Sequence, residues 1–539
     1  MGIARLRAAG VDGLDGYAVD IEVDVANGLP NVIVVGLPDL AVREARDRVK
    51  AALKNSGLSF PVGRVTVNLA PARRRKDGAA FDLPIALGIL AATGYVPPDR
   101  LRGVAALGEL SLAGQTRPLR GALAAAEALQ RRGTRRLIIA RASAREAALA
   151  GGAMEVLPVD GLAEAVALLR GERRIEPVVV DLEAELAAGV GSAPTDREAL
   201  DLCEVRGSFA AKRALVVAAA GGHDLLFVGP PGAGKTMLAR RLLGVLPPLE
   251  VDEALEITRV HGSVGAAPAG GIVRRRPFRA PHHTTSYAGL VGGGSNGPRP
   301  GEVSLAHRGV LFLDELPEFP LRALEALREP LETHRIAVAR AWGSVELPAD
   351  FQLVAAMNPC PCGYLNDPRR ACRCSDAARS RYGARLSGPL LDRIDIQVAV
   401  RPLEPELLIE PDETGGSMST ADAVALVARA RQRQRRRAGA EGCLVPGQPR
   451  RYDWLNARAP ARILEASCQL DREGRGVLTR AAGSLMLSAR GIVKTKRVAR
   501  TIADLDDRDQ VTAADISEAL LLRRLDDFRQ EVSMAQATA

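Results

Sequence analysis

Gly229, Pro230, Pro231, Gly232, Ala233, Gly234, Lys235 and Thr236 follow the spacing G-x-x-x-x-G-K-[ST] at every fixed position. That set of residue types suits one task, holding the phosphates of ATP or a similar nucleotide. Glycines let several backbone N–H groups converge on one anion, the Lys235 ammonium neutralises β/γ-phosphate charge, and the Thr236 hydroxyl can ligate Mg²⁺. The flanks agree: DLLFV at 224–228 reads as a short buried strand and MLARRLL at 237–243 has helical spacing. The loop therefore sits at a helix N-terminus, where anions bind. An ordinary Gly/Pro turn is the bland alternative, and the full match in this setting weighs against it.

Further chemistry-bearing residues lie downstream. In Gly309–Glu315 (GVLFLDE) four apolar residues precede two acids, which predicts a buried parallel strand with Asp314 and Glu315 at its carboxyl end. There Asp314 can hold Mg²⁺ and Glu315 can polarise the attacking water. A second buried strand, FQLVA at 351–355, runs into Asn358 and places an amide where the γ-phosphate would lie. The segment RLSGPLLDRID at 385–395 carries arginines, and one projecting into a neighbouring subunit would stabilise transition-state charge.

Cys360-Pro361-Cys362 and Cys372-Arg373-Cys374 form two C-x-C pairs, enough thiolates for a closed tetrahedral Zn²⁺ site. Reduced structural thiols are the other reading, since C-x-C is tighter than the usual zinc spacing. The adjacent His282 and His283 have no Cys, Asp or Glu at ligand spacing, which disfavours a metal there.

The elements that must position these residues belong to a large chain. Its 539 residues suggest about three domains, and the seven cysteines, an odd number, argue against a disulfide framework. A formal charge of +9 permits a polyanionic partner without establishing one. With only 3% aromatic residues, any nucleic acid would be held by backbone electrostatics rather than by stacking. The N-terminal residues lack a signal-peptide apolar region and the apolar run 83–96 is too short to span a bilayer, so a cytoplasmic protein without membrane attachment is expected.

Strand patterns at 17–25, 31–35 and 64–69 surround a helical pattern at 41–55, and PARRRK at 71–76 is a solvated loop or a phosphate-contacting patch. Residues 76–90 (KDGAAFDLPIALGIL), 108–121 (GELSLAGQTRPLRG) and 135–140 (RRLIIA) resemble the proteolytic domain of Lon. Lon-type peptidases carry a serine where this chain has Ala79 and Ala80, and a lysine where it has Ala122 and Leu123. Without nucleophile and base, peptide hydrolysis has no covalent route. Between the P-loop and Asp314, the long segment 260–307 reads as a basic, substrate-facing loop, and Arg274, Arg275, Arg276 and Arg279 within it are an expected grip on a polyanion. The helical stretch 421–437 carries six arginines, a solvated face or a DNA contact.

FRAPHHTTS at 278–286, RPGEVSLAHRGVLFLDELPEF at 299–319, AAMNPCPCGY at 355–364 and LSGPLLDRIDI at 386–396 resemble the magnesium-chelatase-like AAA+ ATPases. With the Lon-like region in front, the whole chain resembles the YifB/ComM family. That resemblance implies an α/β fold: an AAA+ P-loop core with a helical lid, preceded by an α+β Lon-protease-like domain. The expected division is 1–175 Lon-like without the dyad, 176–200 linker, 201–400 AAA+ core, 401–450 basic connecting segment and 451–539 lid. It further implies a homo-oligomeric ring, a hexamer, that hydrolyses ATP with Mg²⁺, and DNA as partner, with ComM acting as a helicase in branch migration. Asn358 and Arg497 then sense the γ-phosphate, with Arg500 one turn away as the rival of Arg497, and Arg393 acts in trans. The alternative is a chelatase-type remodeller that works on a protein or metal-insertion partner.

Overall fold

The structure, a computed structural model, describes residues 2–29, 31–37, 40–71, 80–191, 200–268, 271–293, 299–340, 343–367, 369–402, 418–440 and 454–523. The cations at 73–76 and Ala79 lie outside the described residues. Contacts divide the chain into two units, the first being Met1–Gly191, Leu249–Arg275 and Gly294–Pro300, the second Ser192–Pro248, Arg276–Gly293 and Gly301–Ala539.

The first unit is built on a seven-stranded sheet of β1 (Ala4–Asp12), β2 (Asp15–Ala26), β3 (Asn31–Val35), β4 (Arg64–Ala70), β5 (Val104–Leu107), β6 (Arg136–Ala140) and β7 (Glu155–Val159). Its order is β3-β4-β2-β1-β5-β6-β7. Strand β2 alternates as its sequence predicts, with Val19, Ile21, Val23 and Val25 buried and Asp20 and Asp24 exposed. Strand β1 has no such signature. ARLRAAGVD is poor in β-formers, yet it pairs with β2 along its whole length, from Ala4 opposite Val23 to Asp12 opposite Asp15. Tertiary pairing overrides its weak local preference. The helix Asp82–Ala92 is buried on every side, which is why its apolar run shows no amphipathic period.

Residues 182–191, expected in a linker, form a helix whose Leu186 is buried in this unit. The helix Val251–Ser263, which follows the P-loop helix in the chain, also packs in this unit. There Leu249 and Ile257 join Leu123, Leu149 and Leu186 in one apolar cluster. Arg274 is ion-paired with Glu185 here, which also binds Arg145.

Leu123, at the position of the Lon-type lysine, is thus a core residue. Its backbone N–H donates to the Glu146 carboxylate at 3.2 Å, which satisfies one of the open N–H groups at the start of the helix Ala122–Arg131. Burial, opposed in part by this bond, pushes Glu146 from an ordinary value of 4.5 up to about 7. Between those values the folded chain binds the extra proton, so stability is full below about pH 4.5 and falls as pH rises through about 7, by at most about 3 kcal/mol. Glu146→Gln keeps an acceptor oxygen and removes the charge. The variant is expected to melt at a higher temperature than the parent at pH 8 and at a similar one at pH 5. An unchanged pH profile in thermal melts refutes this.

The second unit contains a parallel sheet of β8 (Leu225–Val228), β9 (Phe278–Arg279), β10 (Val310–Leu313), β11 (Gln352–Met357) and β12 (Ile396–Ala399), in the order β9-β10-β11-β8-β12. Every residue of β8, β10 and β11 is buried, as the continuous apolar runs predict for a sheet covered on both faces. The helix Phe209–Gly221, whose small residues allow close approach, packs with the helices Thr420–Ala440 and Ala489–Leu505.

The six-arginine stretch lies on that second helix and is largely spent on packing. Arg431 donates to the Ala219 carbonyl at 2.7 Å, Arg437 pairs with buried Asp504 at 2.7 Å, Arg433 pairs with Asp507 at 2.6 Å, and Arg435 lies over the Trp454 ring. The 274–279 run is spent in the same way. Arg276 donates to the carbonyls of Pro247 and Arg308, both at 2.8 Å, and Arg279 forms a bidentate pair with Glu302. A phosphate would have to displace these partners, so Arg274, Arg276 and Arg279 are not free cations in the folded chain. Among the described residues no helix is long and apolar enough to cross a membrane.

Candidate functional site: a nucleotide cradle at the carboxyl end of the sheet

The loop 229–234 joins the carboxyl end of β8 to the helix Lys235–Val245. Gly229 has no room for a side chain, since a Cβ there would lie 2.1 Å from the carbonyl oxygen of Val400, just beyond β12. Pro231 and Gly232 are exposed at the rim, and the loop turns into the helix through Gly234 at φ 86°. Lys235 is buried and donates to the carbonyls of Gly229 at 2.7 Å and Pro230 at 2.9 Å and to Asn358 Oδ1 at 3.1 Å. Burial lowers its pKa, while Asp314 and Glu315 act in the opposite direction.

Sheet order explains which residues meet. Strand β11 lies between β8 and β10, so Asn358 stands between the lysine and the two acids although it is more than a hundred residues from the loop. The Thr236 hydroxyl donates to Asp314 Oδ2 at 2.7 Å, while Asp314 Oδ1 accepts the Glu315 backbone N–H at 2.9 Å. Two hard oxygen ligands thus sit side by side, which fits Mg²⁺, and the converging loop fits the phosphates it accompanies. When bound, Mg²⁺ and ATP supply the phosphoanhydride and neutralise its charge.

Glu315 adopts φ 51°, a left-handed conformation rare for a side-chain-bearing residue, which turns its side chain off the strand direction. Its carboxylate is about half exposed and lies 3.1 Å from His283 Nδ1. The sequence reading missed this partner. The available signal was that HH follows a short strand, but only the parallel pairing of Phe278 with Val310 brings that strand beside the acids.

Two expected site residues are bonded to groups outside this cluster. Arg393 donates to Glu332 at 2.6 Å and to the Pro389 carbonyl at 2.7 Å. Arg497 donates to the carbonyls of Ala457 at 2.8 Å and Ala459 at 2.9 Å, and burial lowers its pKa. Its rival Arg500 is fully buried against Asp504 and the carbonyls of Ser467 and Arg508, which leaves it no reach toward a ligand. Cys360, Cys362, Cys372 and Cys374 do come together, with all four sulfurs within 4.8 Å of one another.

Three family descriptions match the chain in succession: "Subunit ChlI of Mg-chelatase" over 21–143, "Magnesium chelatase, subunit ChlI" over 201–408, and "Magnesium chelatase, subunit ChlI C-terminal" over 417–523. The chain is 40% identical over 533 residues to competence protein ComM of Haemophilus influenzae, covering 99% of this chain and 100% of that one. It is 39% identical over 527 residues to YifB of Salmonella typhimurium, covering 98% of each. The chain belongs to the YifB/ComM family. As a YifB/ComM protein it is a magnesium-chelatase-like AAA+ ATPase. The chain is also 26% identical over 154 residues to an archaeal Lon protease of Methanocaldococcus jannaschii, covering 29% of this chain and 19% of that one. The C-terminal description begins at 417, so the helix Thr420–Ala440 goes with the YifB/ComM C-terminal region.

Proposed function

We propose that copies of this chain form a hexameric ring that hydrolyses ATP between subunits, moves along DNA and drives branch migration in recombination. The observation that carries the reading is the end-to-end likeness to a competence protein, which extends through the Lon-like, nucleotide-binding and C-terminal regions alike. In this reading Lys235 and Thr236 hold phosphate and metal, Asp314 completes the metal's ligands, and Glu315 takes the proton of the attacking water. Asn358 and Arg497 sense the γ-phosphate. Arg393 reaches the neighbouring subunit's nucleotide. The net charge of +9 favours a polyanionic track.

ATPase rate and DNA binding, measured with single-stranded and branched DNA at two salt concentrations, test the proposal. DNA is expected to stimulate turnover, and log affinity should fall with log salt at a slope of about −0.7 per phosphate neutralised on single strands. A rate indifferent to DNA, with no salt-dependent binding, transfers the reading to a chelatase-type remodeller. One observation favours that second reading: Arg274, Arg276 and Arg279, the cations that lay nearest to hand for gripping DNA, are tied to partners inside the protein.

A further inference from the structure

We propose that Lys494 is a positioning residue for Arg393, and that through it the helix bearing Arg497 carries the state of a chain's own nucleotide to the arginine offered to the next subunit. The inference rests on the roles given above to Arg393 and Arg497. One helix, Ala489–Leu505, touches the surroundings of Arg393 at both ends of that residue. The Lys494 ammonium donates to the Arg393 backbone carbonyl at 2.5 Å. One turn earlier on the helix, Arg490 lies 3.3 Å from the Glu332 carboxylate that holds the Arg393 guanidinium. Arg490, Lys494, Arg497 and Thr501 follow one another at intervals of four, three and four residues, which places all of them on one helix face.

A second anchor stiffens this contact. Lys494 also donates to Asp395 Oδ1 at 2.5 Å, and the other carboxylate oxygen of Asp395 accepts from His223 Nδ1 at 2.8 Å. His223 Nε2 is hydrogen-bonded to the Thr501 hydroxyl at 2.8 Å, which returns the run of bonds to the same helix. Lys494 and Thr501 are seven residues apart, so the helix is pinned to Asp395 at two points about 10 Å apart along its axis. His223, Thr501 and Asp395 are buried, and the Lys494 side chain is 14% exposed. Burial opposes ionisation of Asp395, yet Lys494 and His223 hold its carboxyl well below the ordinary carboxylate range. A buried pair of this kind adds little net stability, whereas its geometry fixes a backbone position.

Asp395 is itself held by the sheet. It stands at the amino end of β12, where the next residue, Ile396, donates its backbone N–H to the Asp224 carbonyl at 3.0 Å, and Arg523 donates to the Asp395 carbonyl at 2.7 Å. Arg497 lies between the two pins, bonded to the carbonyls of Ala457 and Ala459. To reach a γ-phosphate it must exchange those partners. A helix shift that makes this exchange moves Lys494 against the Arg393 carbonyl and Arg490 against Glu332, so Arg393 is presented or withdrawn with it.

Lys494→Met keeps the length of the side chain and removes its charge and donors. The variant is expected to bind a fluorescent ATP analogue as the parent does and to lose turnover on the order of tenfold, because Arg393 is no longer held in register. Lys494→Arg, whose guanidinium can serve both oxygens, should keep most of the rate. Mixed rings separate positioning from plain support. Mixed one to one with Lys235→Ala, Lys494→Met should exceed the mean of the two proteins alone, since one class of interface joins an intact cradle to an intact Lys494 and Arg393. Mixed with Arg393→Ala it should not, since both defects lie on the same side of the interface. The reverse pattern, weakened binding of the analogue, or turnover near the parent's overturns the inference. If Lys494→Met does not fold, Lys494→Gln takes its place in the same mixtures. Recovery in the pair of Arg393→Ala with Lys235→Ala, beside none for Lys494→Met with Lys235→Ala, overturns this inference alone. No recovery in either pair overturns the in-trans reading and the inference with it.

Discussion

Glu315→Gln is expected to bind ATP as the parent does and to lose at least ~10²-fold in turnover. The binding contacts do not pass through this carboxylate. Lys235 is held by Gly229, Pro230 and Asn358, and Thr236 is held by Asp314. What the substitution removes is a half-exposed base just past the carboxyl end of β10, whose place glutamine fills in shape but not in proton affinity. The left-handed backbone at residue 315 demands nothing of the side-chain terminus, so the amide should adopt the same conformation. Equilibrium binding of a fluorescent ATP analogue and a steady-state phosphate-release assay separate the two effects. Turnover within a few-fold of the parent removes Glu315 from the role of base. Loss of binding would instead mean that its contact with His283 organises the cradle.

Arg393→Ala is expected to reduce hydrolysis by about 10³-fold, the scale on which an arginine supplied in trans acts. Lys235→Ala should be equally inactive for a different reason, the loss of phosphate binding. Mixed one to one, the two variants place an intact Lys235 opposite an intact Arg393 at about a quarter of the interfaces of a heterologous ring. Activity should return to a corresponding fraction. The free chain holds the Arg393 guanidinium on Glu332, which Arg490 also approaches at 3.3 Å, so a trans role requires Arg393 to exchange that carboxylate for phosphate. Glu332→Ala should then leave catalysis largely intact, because it removes only the resting partner. Should Arg393→Ala and Glu332→Ala lower the melting temperature alike, with no recovery in the mixture, Arg393 is a structural ion pair and the in-trans assignment fails.

The cradle itself was legible from residue types and spacing, because its chemistry is local: glycines, lysine and threonine act within one loop and one helix turn, and the acids end one apolar run. The parallel strands were legible for a related reason. Full burial on two faces demands continuous apolar runs, and these stand out in LLFV, VLFL and QLVAAM. The cysteine pairs announced themselves by number, although only folding shows their sulfurs meeting around a single point beside Pro231.

What the sequence could not show depends on which strands become neighbours and on which partner each charge finds. Strand β1 forms because β2 offers it a full-length partner, not because Ala, Arg and Gly prefer an extended chain. His283 reaches Glu315 only through the pairing of β9 with β10. The clearest case is arginine. A cation-rich stretch reads the same whether it faces a phosphate or a carboxylate, since composition carries the charge but not its partner. Arg274 on Glu185, Arg276 on backbone carbonyls, Arg279 on Glu302 and Arg437 on Asp504 were assigned by tertiary structure alone. In the folded chain each of these charges is already compensated, and that compensation, set by residues distant in sequence, decides which arginines are structural.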